Sequence, residues 1–173
     1  MATEQEIKYR MYIEDHIQNV KIAYKVLNDL LFENFNLSKS EMDLRIKLHD
    51  QSKFNCIEFN GYRRYFYPEP GQEPDKLSFD IAWKNHYTVN DHHPEHWQSN
   101  DVLVQMPQAA VAEMFCDWLA MSYKFKSNPV EWFNKHEKEE PFPFHEKTKE
   151  LVNEKLFILE KGYLRCTEWG VEE

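Results

Sequence analysis

Leu48-His49-Asp50-Gln51-Ser52-Lys53-Phe54 sets a histidine directly before an aspartate, with a lysine three residues after the aspartate. Imidazole and carboxylate are both ligands for divalent metals. On one helix, adjacent side chains diverge by roughly 100°, from ~3.6 residues per turn. His49 and Asp50 can share an ion only if it sits over the helix face between them. Other elements must supply the remaining ligands, and the fold must bring those elements to one point.

Outward from this stretch, the chain reads as helices. Residues 4–33 carry Ile13, Ile17, Val20, Ala23, Leu27 and Leu30 at spacings of three and four, which predicts one long helix with His16 on its apolar stripe. A lone histidine there is most simply a hydrogen-bonded core residue. Ser38-Lys39-Ser40-Glu41 has the form of a capping box and opens a helix over about 39–54. Met42, Ile46, His49 and Lys53 share one of its faces. A third helix over 55–68 holds Phe59, Tyr62, Tyr65, Phe66 and Tyr67, with Arg63 and Arg64 between them. Core packing accounts for these aromatics more simply than base stacking. Pro68 to Asp75 is a loop by composition, more simply a connection than a lid.

Ser78 is placed to cap a short helix bearing Phe79, Trp83 and His86. His86, His92, His93 and His96 then fall within eleven residues. Such density points to metal or proton chemistry. After Pro107, Ala110, Met114, Asp117, Met121 and Phe125 align on one face of a helix over 108–126. Asp117 is a carboxylate in an apolar stripe, and burying it unpaired is costly. Pro129 opens a helix to about 136. A last helix covers 146–161, with Gly162 as its stop and a peripheral tail from Tyr163. No strand is predicted.

The 173 residues suit a single domain with a real core. Net charge is −9, which argues against duplex nucleic acid as a partner but not against a small anion held by a metal. The opening residues are polar, and no apolar run is long enough to span a bilayer. Three widely spaced cysteines read as reduced thiols, so a cytoplasmic location is expected and a cysteine-based zinc site is not.

His16, His49 with Asp50, and Asp117 thus fall on three successive inward-facing helices, a plausible ligand set for Mn, Fe, Co, Zn, Ni or Mg. The order H…HD…D resembles the HD-domain metal-dependent phosphohydrolases over roughly residues 7–126. Their lysine-bearing string HDxGK appears here as His49-Asp50-Gln51-Ser52-Lys53. His16 precedes His49 by 33 residues, and Asp117 follows Asp50 by 67. The resemblance implies an all-α, HD-like bundle of six to seven helices, with helices over 129–162 packed on the metal-site core. His86 and the pair His92-His93 are similar to the extra histidines that hold a second metal in dinuclear branches. Here only five residues separate His86 from His92, and the Gly-Tyr-Pro signature of one such branch is absent.

What the resemblance implies is hydrolysis of a small phosphate ester, a nucleotide foremost, by metal-activated water, with one or two divalent ions. Asp50 and Lys53 are the expected catalytic residues. Lys53, Arg63 and Arg64 are candidates for binding phosphate, and Glu58 and Glu95 for proton transfer. An HD-type nuclease or cyclic-nucleotide phosphodiesterase is the alternative activity. A non-catalytic scaffold binding a nucleotide or a protein is the alternative class. A homodimer is the assembly that small enzymes of this kind suggest.

Overall fold

Helix α1, Glu4–Asn34, is the spine. Thr3 and Glu6 close a capping box at its start, each satisfying the other's backbone N–H. Its buried stripe runs from Tyr9 to Leu31 and includes every apolar residue that the periodicity picked out, together with His16. The computed structural model describes residues 2–168. Among these it has seven α-helices and is an all-α bundle. No helix is long and apolar enough to cross a membrane.

Against α1 pack α5, Gln108–Phe125, and α7, Glu146–Glu168. Helix α2, Lys39–Leu48, lies against α1 and α5, and α6, Pro129–Glu139, against α5 and α7. Helices α3, Cys56–Phe66, and α4, Lys76–Val89, form an antiparallel pair. The apolar interior falls into two clusters. The larger joins the later part of α1 to α2, α5, α6 and α7. The smaller joins Tyr9, Ile13 and Ile17 of α1 to Tyr62 and Ala82 of the α3–α4 pair. His16 lies on α1 between Ile13 and Ile17 of the smaller cluster, one turn before Val20 of the larger.

Several boundaries differ from the sequence expectation. Helix α2 stops at Leu48 instead of reaching residue 54, because Asp50 adopts a left-handed conformation with φ 57°. A short 3-10 turn, Gln51–Phe54, follows. Helix α4 is capped by Asp75, whose carboxylate accepts from the Ser78 N–H; Ser78 lies inside the helix. Helix α6 continues to Glu139. A small hairpin, β1 (Gln98–Ser99) with β2 (Val102–Leu103), was not expected. Its turn residues Asn100 and Asp101 both have positive φ, as a two-residue hairpin turn requires, without the glycine that usually signals one.

Gly162 does not stop α7. The helix runs through it, and a Cβ there would meet Leu27 Cδ2 at 2.4 Å, so this glycine permits close helix approach. The segment from Tyr163 to Glu168 is helical, and Arg165 pairs with Asp29 of α1. The loop over 68–75 is tied down: Glu69 accepts from Arg63 at 3.0 Å and from Thr3 at 3.1 Å. It connects α3 to α4.

Gly61 holds the α3–α4 pair together. A Cβ at this position would lie 2.4 Å from the Ser78 carbonyl oxygen and 2.5 Å from Ala82 Cβ. Backbone cannot yield as a side-chain end can. Gly61→Ala should force the helices apart and lower stability by about 1–3 kcal/mol, the usual cost of overpacking. Thermal unfolding checks this, and an unchanged melting temperature would refute the close contact.

Candidate metal centre

The break after α2 creates the site. Leu48 ends the helix, His49 caps it with ψ 126°, and Asp50 turns left-handed. Aspartate tolerates that conformation better than most residues. Asp50 is 1% exposed, and its two oxygens face different groups. The expectation that His49 and Asp50 lie on one continuous helix is overturned, since the left-handed turn at Asp50 aims the carboxylate.

Oδ2 of Asp50 lies 3.1 Å from His16 Nε2 and 3.6 Å from His49 Nε2. Asp117 Oδ1 is 3.3 Å from the same His16 nitrogen and 3.9 Å from that of His49. Oδ1 of Asp50 faces the other way, 3.3 Å from His86 Nε2 and 3.7 Å from His92 Nε2. His93 Nε2 lies 2.9 Å from His86 Nε2. His16, His49 and Asp117 form one group with ligand atoms within 4.8 Å of one another; Asp50, His86, His92 and His93 form another. All seven expected ligands are therefore brought together, and both members of the histidine pair lie in the second group.

The donor set fits a cation. Asp50 Oδ1 and His92 Nε2 are both buried without a hydrogen-bond partner. Leaving such atoms unsatisfied is costly. Both carry lone pairs when the imidazole is in the tautomer protonated on Nδ1, so a divalent ion satisfies the two at once.

Two carboxylates behind the histidines fix that tautomer. Glu58, fully buried on α3, is 2.8 Å from His86 Nδ1 and accepts from Ser52 and Asn85. Glu113 of α5 is 2.8 Å from His49 Nδ1 and 3.4 Å from His92 Nδ1. Carboxylates in this position orient ligating imidazoles and raise their basicity. Glu113 was not singled out from sequence, although it lies one helical turn before Asp117 in an otherwise apolar run. Arg45 was also missed. Its Nε lies 2.8 Å from Glu113 Oε2, and it also pairs with Asp91. His49, His92 and Glu113 form a third group of metal-ligating type, but Arg45 already neutralises that carboxylate.

Other expected residues divide. Lys53 donates to Asp50 Oδ2 at 2.6 Å and lines the adjoining cavity. Arg63 instead anchors Glu69 and Tyr67, and Arg64 is exposed outside the cavity, so neither is placed to bind substrate there. Glu58 sits behind His86 and is not placed to exchange protons with a substrate. Glu95 lines a second cavity beside His93. His96 is turned away, 3.0 Å from the Tyr87 carbonyl oxygen.

The main cavity has a volume of about 690 Å³ and reaches His16, His86, His93 and Asp117. Tyr62, Phe66 and Tyr67, for which core packing was the simpler expectation, line the cavity together with Tyr12, Phe79 and Trp83. Lys124 adds a second cation, 3.4 Å from the Tyr12 ring centre.

Burial disfavours charged imidazoles, yet His16, His49 and His86 all have raised pKa values. Asp117 and Asp50 hold the proton on His16, Asp50 and Glu113 on His49, and Asp50 and Glu58 on His86. Burial would raise Asp50, but Lys53 and the histidines hold it well below the carboxylate range. Asp117 is lowered, chiefly by His16, against the same burial. His93 is pushed down by burial and by His92 and His86.

These directions predict opposite pH responses with and without metal. In the metal-free protein, the three raised histidines contribute stability in full below the unfolded imidazole pKa of about 6.5. That contribution is lost as pH rises through their folded values. His93 has the opposite sign and loses its contribution as pH falls below about 6.5, so metal-free stability should peak near there and decline above it as the three raised histidines lose their protons. Metal binding displaces the protons, so the loaded protein should gain stability over the same rise. Melting temperatures with and without a chelator test this; parallel slopes above pH 6.5 would contradict it.

No curated protein and no solved structure matches the chain. The model of a family of unknown function (DUF5662) matches residues 5–157, and the chain belongs to that family.

Proposed function

We propose that this protein is an HD-type, metal-dependent phosphohydrolase acting on small phosphate esters, nucleotides foremost. The observation that carries this reading is Asp50, one buried carboxylate with an oxygen toward each of two ligand groups. Ions such as Mn, Fe, Co, Zn, Ni or Mg, held there, would lower the pKa of bound water and offset charge on phosphoryl oxygens.

The chain's own residues do the rest. Lys53 reaches both Asp50 and the cavity, where an ammonium group stabilises added negative charge on phosphate. Burial and Lys53 lower the pKa of Lys124, and a neighbouring phosphate would favour its charged form. The aromatic walls suit a base or another flat ring and exclude water around the phosphate. Glu58 and Glu113 hold the histidine rings in register.

Elemental analysis of tag-free protein, purified without chelator, is the primary test. About two ions per chain are expected, with phosphatase activity that EDTA removes and Mn or Co restores. Absence of metal after incubation with Mn, Co, Fe and Zn would overturn the reading.

A further inference from the structure

Beside the main cavity lies a second of about 330 Å³, and the two share Trp83, His93, Asp117, Met121 and Phe125. Asp117, a ligand of the first metal group, thus borders both. The chambers differ in chemistry. The main one carries Lys53 and Lys124, whereas the second has no lysine or arginine in its lining. It is walled by Trp118, Trp132 and Phe142, with Glu95 and His136 as its ionisable groups apart from the shared ligands. The His136 ring stacks on Phe142 with centroids 4.2 Å apart. Glu95 Oε2 and His136 Nδ1 are buried atoms without a hydrogen-bond partner.

We infer that the second chamber is a subsite for a second organic substituent on phosphorus, which makes the preferred substrate a phosphodiester. This deepens the phosphohydrolase reading and rests on it. Displacement at phosphorus places the entering and leaving oxygens roughly in line. A monoester has one organic group and needs one chamber. Two chambers meeting at Asp117 allow the phosphate to sit at the metal groups with one substituent in each.

The absence of cationic lining disfavours a second phosphate in the smaller chamber. Its aromatic walls and unpartnered Glu95 oxygen suit a flat ring carrying an N–H or O–H donor. Hydrolysis then joins the water oxygen to phosphorus and breaks one ester P–O bond. The electron pair goes to the departing oxygen. One water proton ends on the alcohol, and the other on the monoester or in solvent.

The test compares binding of phenyl phosphate and diphenyl phosphate to Mn-loaded protein by calorimetry, alongside turnover of 4-nitrophenyl phosphate and bis(4-nitrophenyl) phosphate. Diphenyl phosphate should bind at least about tenfold tighter than the monoester. Ser127→Phe fills the chamber from its rim, and Trp132→Ala removes a wall; each should cut that preference to below about twofold. A 4-hydroxyl on one ring should tighten binding further, and Glu95→Leu should cancel that gain. Equal binding of both esters, with monoester turnover intact, would overturn the subsite and leave the phosphohydrolase standing. Failure of every ester to bind or turn over would remove both.

Discussion

Asp50→Asn should strip the protein of metal and activity together. Asparagine tolerates the left-handed backbone that residue 50 adopts, so the turn after α2 should persist. The charge is lost, and an amide nitrogen replaces one oxygen, turning a donor toward one ligand group. Because the carboxylate serves both groups, elemental analysis should find well under one ion per chain, against about two in the parent. Phosphatase activity should fall below about a thousandth, beyond the loss for one stabilising hydrogen bond. Lys53→Met separates the roles, since it removes the cation on Oδ2 and spares the carboxylate. Metal content should stay near two while turnover falls about 10²–10³-fold. Full metal occupancy in Asp50→Asn would show that Asp50 does not join the groups.

The split between what the sequence revealed and what it concealed follows from the range of each signal. His16 and Asp117 lie on long helices with unbroken apolar periodicity, so their inward direction could be read from spacing. Asp50 could be picked out as a candidate ligand, but not its geometry. An aspartate at positive φ has no sequence mark comparable to glycine, and the ordinary expectation continues the helix. Glu113 was hidden because the apolar face was drawn through Ala110, Met114 and Asp117, and this carboxylate falls beside that line. Its partner Arg45 looks like a surface residue in a charged helix, and only the packing of α2 on α5 joins them. Arg63 and Arg64 misled for the opposite reason. Cations near a predicted phosphate site suggested recognition, while α3 turns Arg63 toward the loop and Arg64 toward solvent.

The carboxylates behind the histidines allow the two metal groups to be taken apart. Of the clustered histidines, Glu58 contacts His86 of the second group. Glu113 touches His49 of the first group and His92 of the second. Glu58→Gln should therefore weaken one ion, and Glu113→Gln both, each by about 10–100-fold in affinity. Metal titration should show one weakened site in the first variant and two in the second. Stability should follow a different order. Glu113→Ala leaves Arg45 with Asp91 alone and removes the carboxylate that faces two buried imidazole Nδ1 atoms, a loss of about 3–5 kcal/mol. Arg45→Met in the same chain removes the stranded cation and should return part of that loss. The resulting non-additivity would identify Arg45, Glu113 and the two histidines as one coupled unit. If the two single losses simply add, Arg45 does not couple to Glu113, and the histidines are oriented by Glu113 alone.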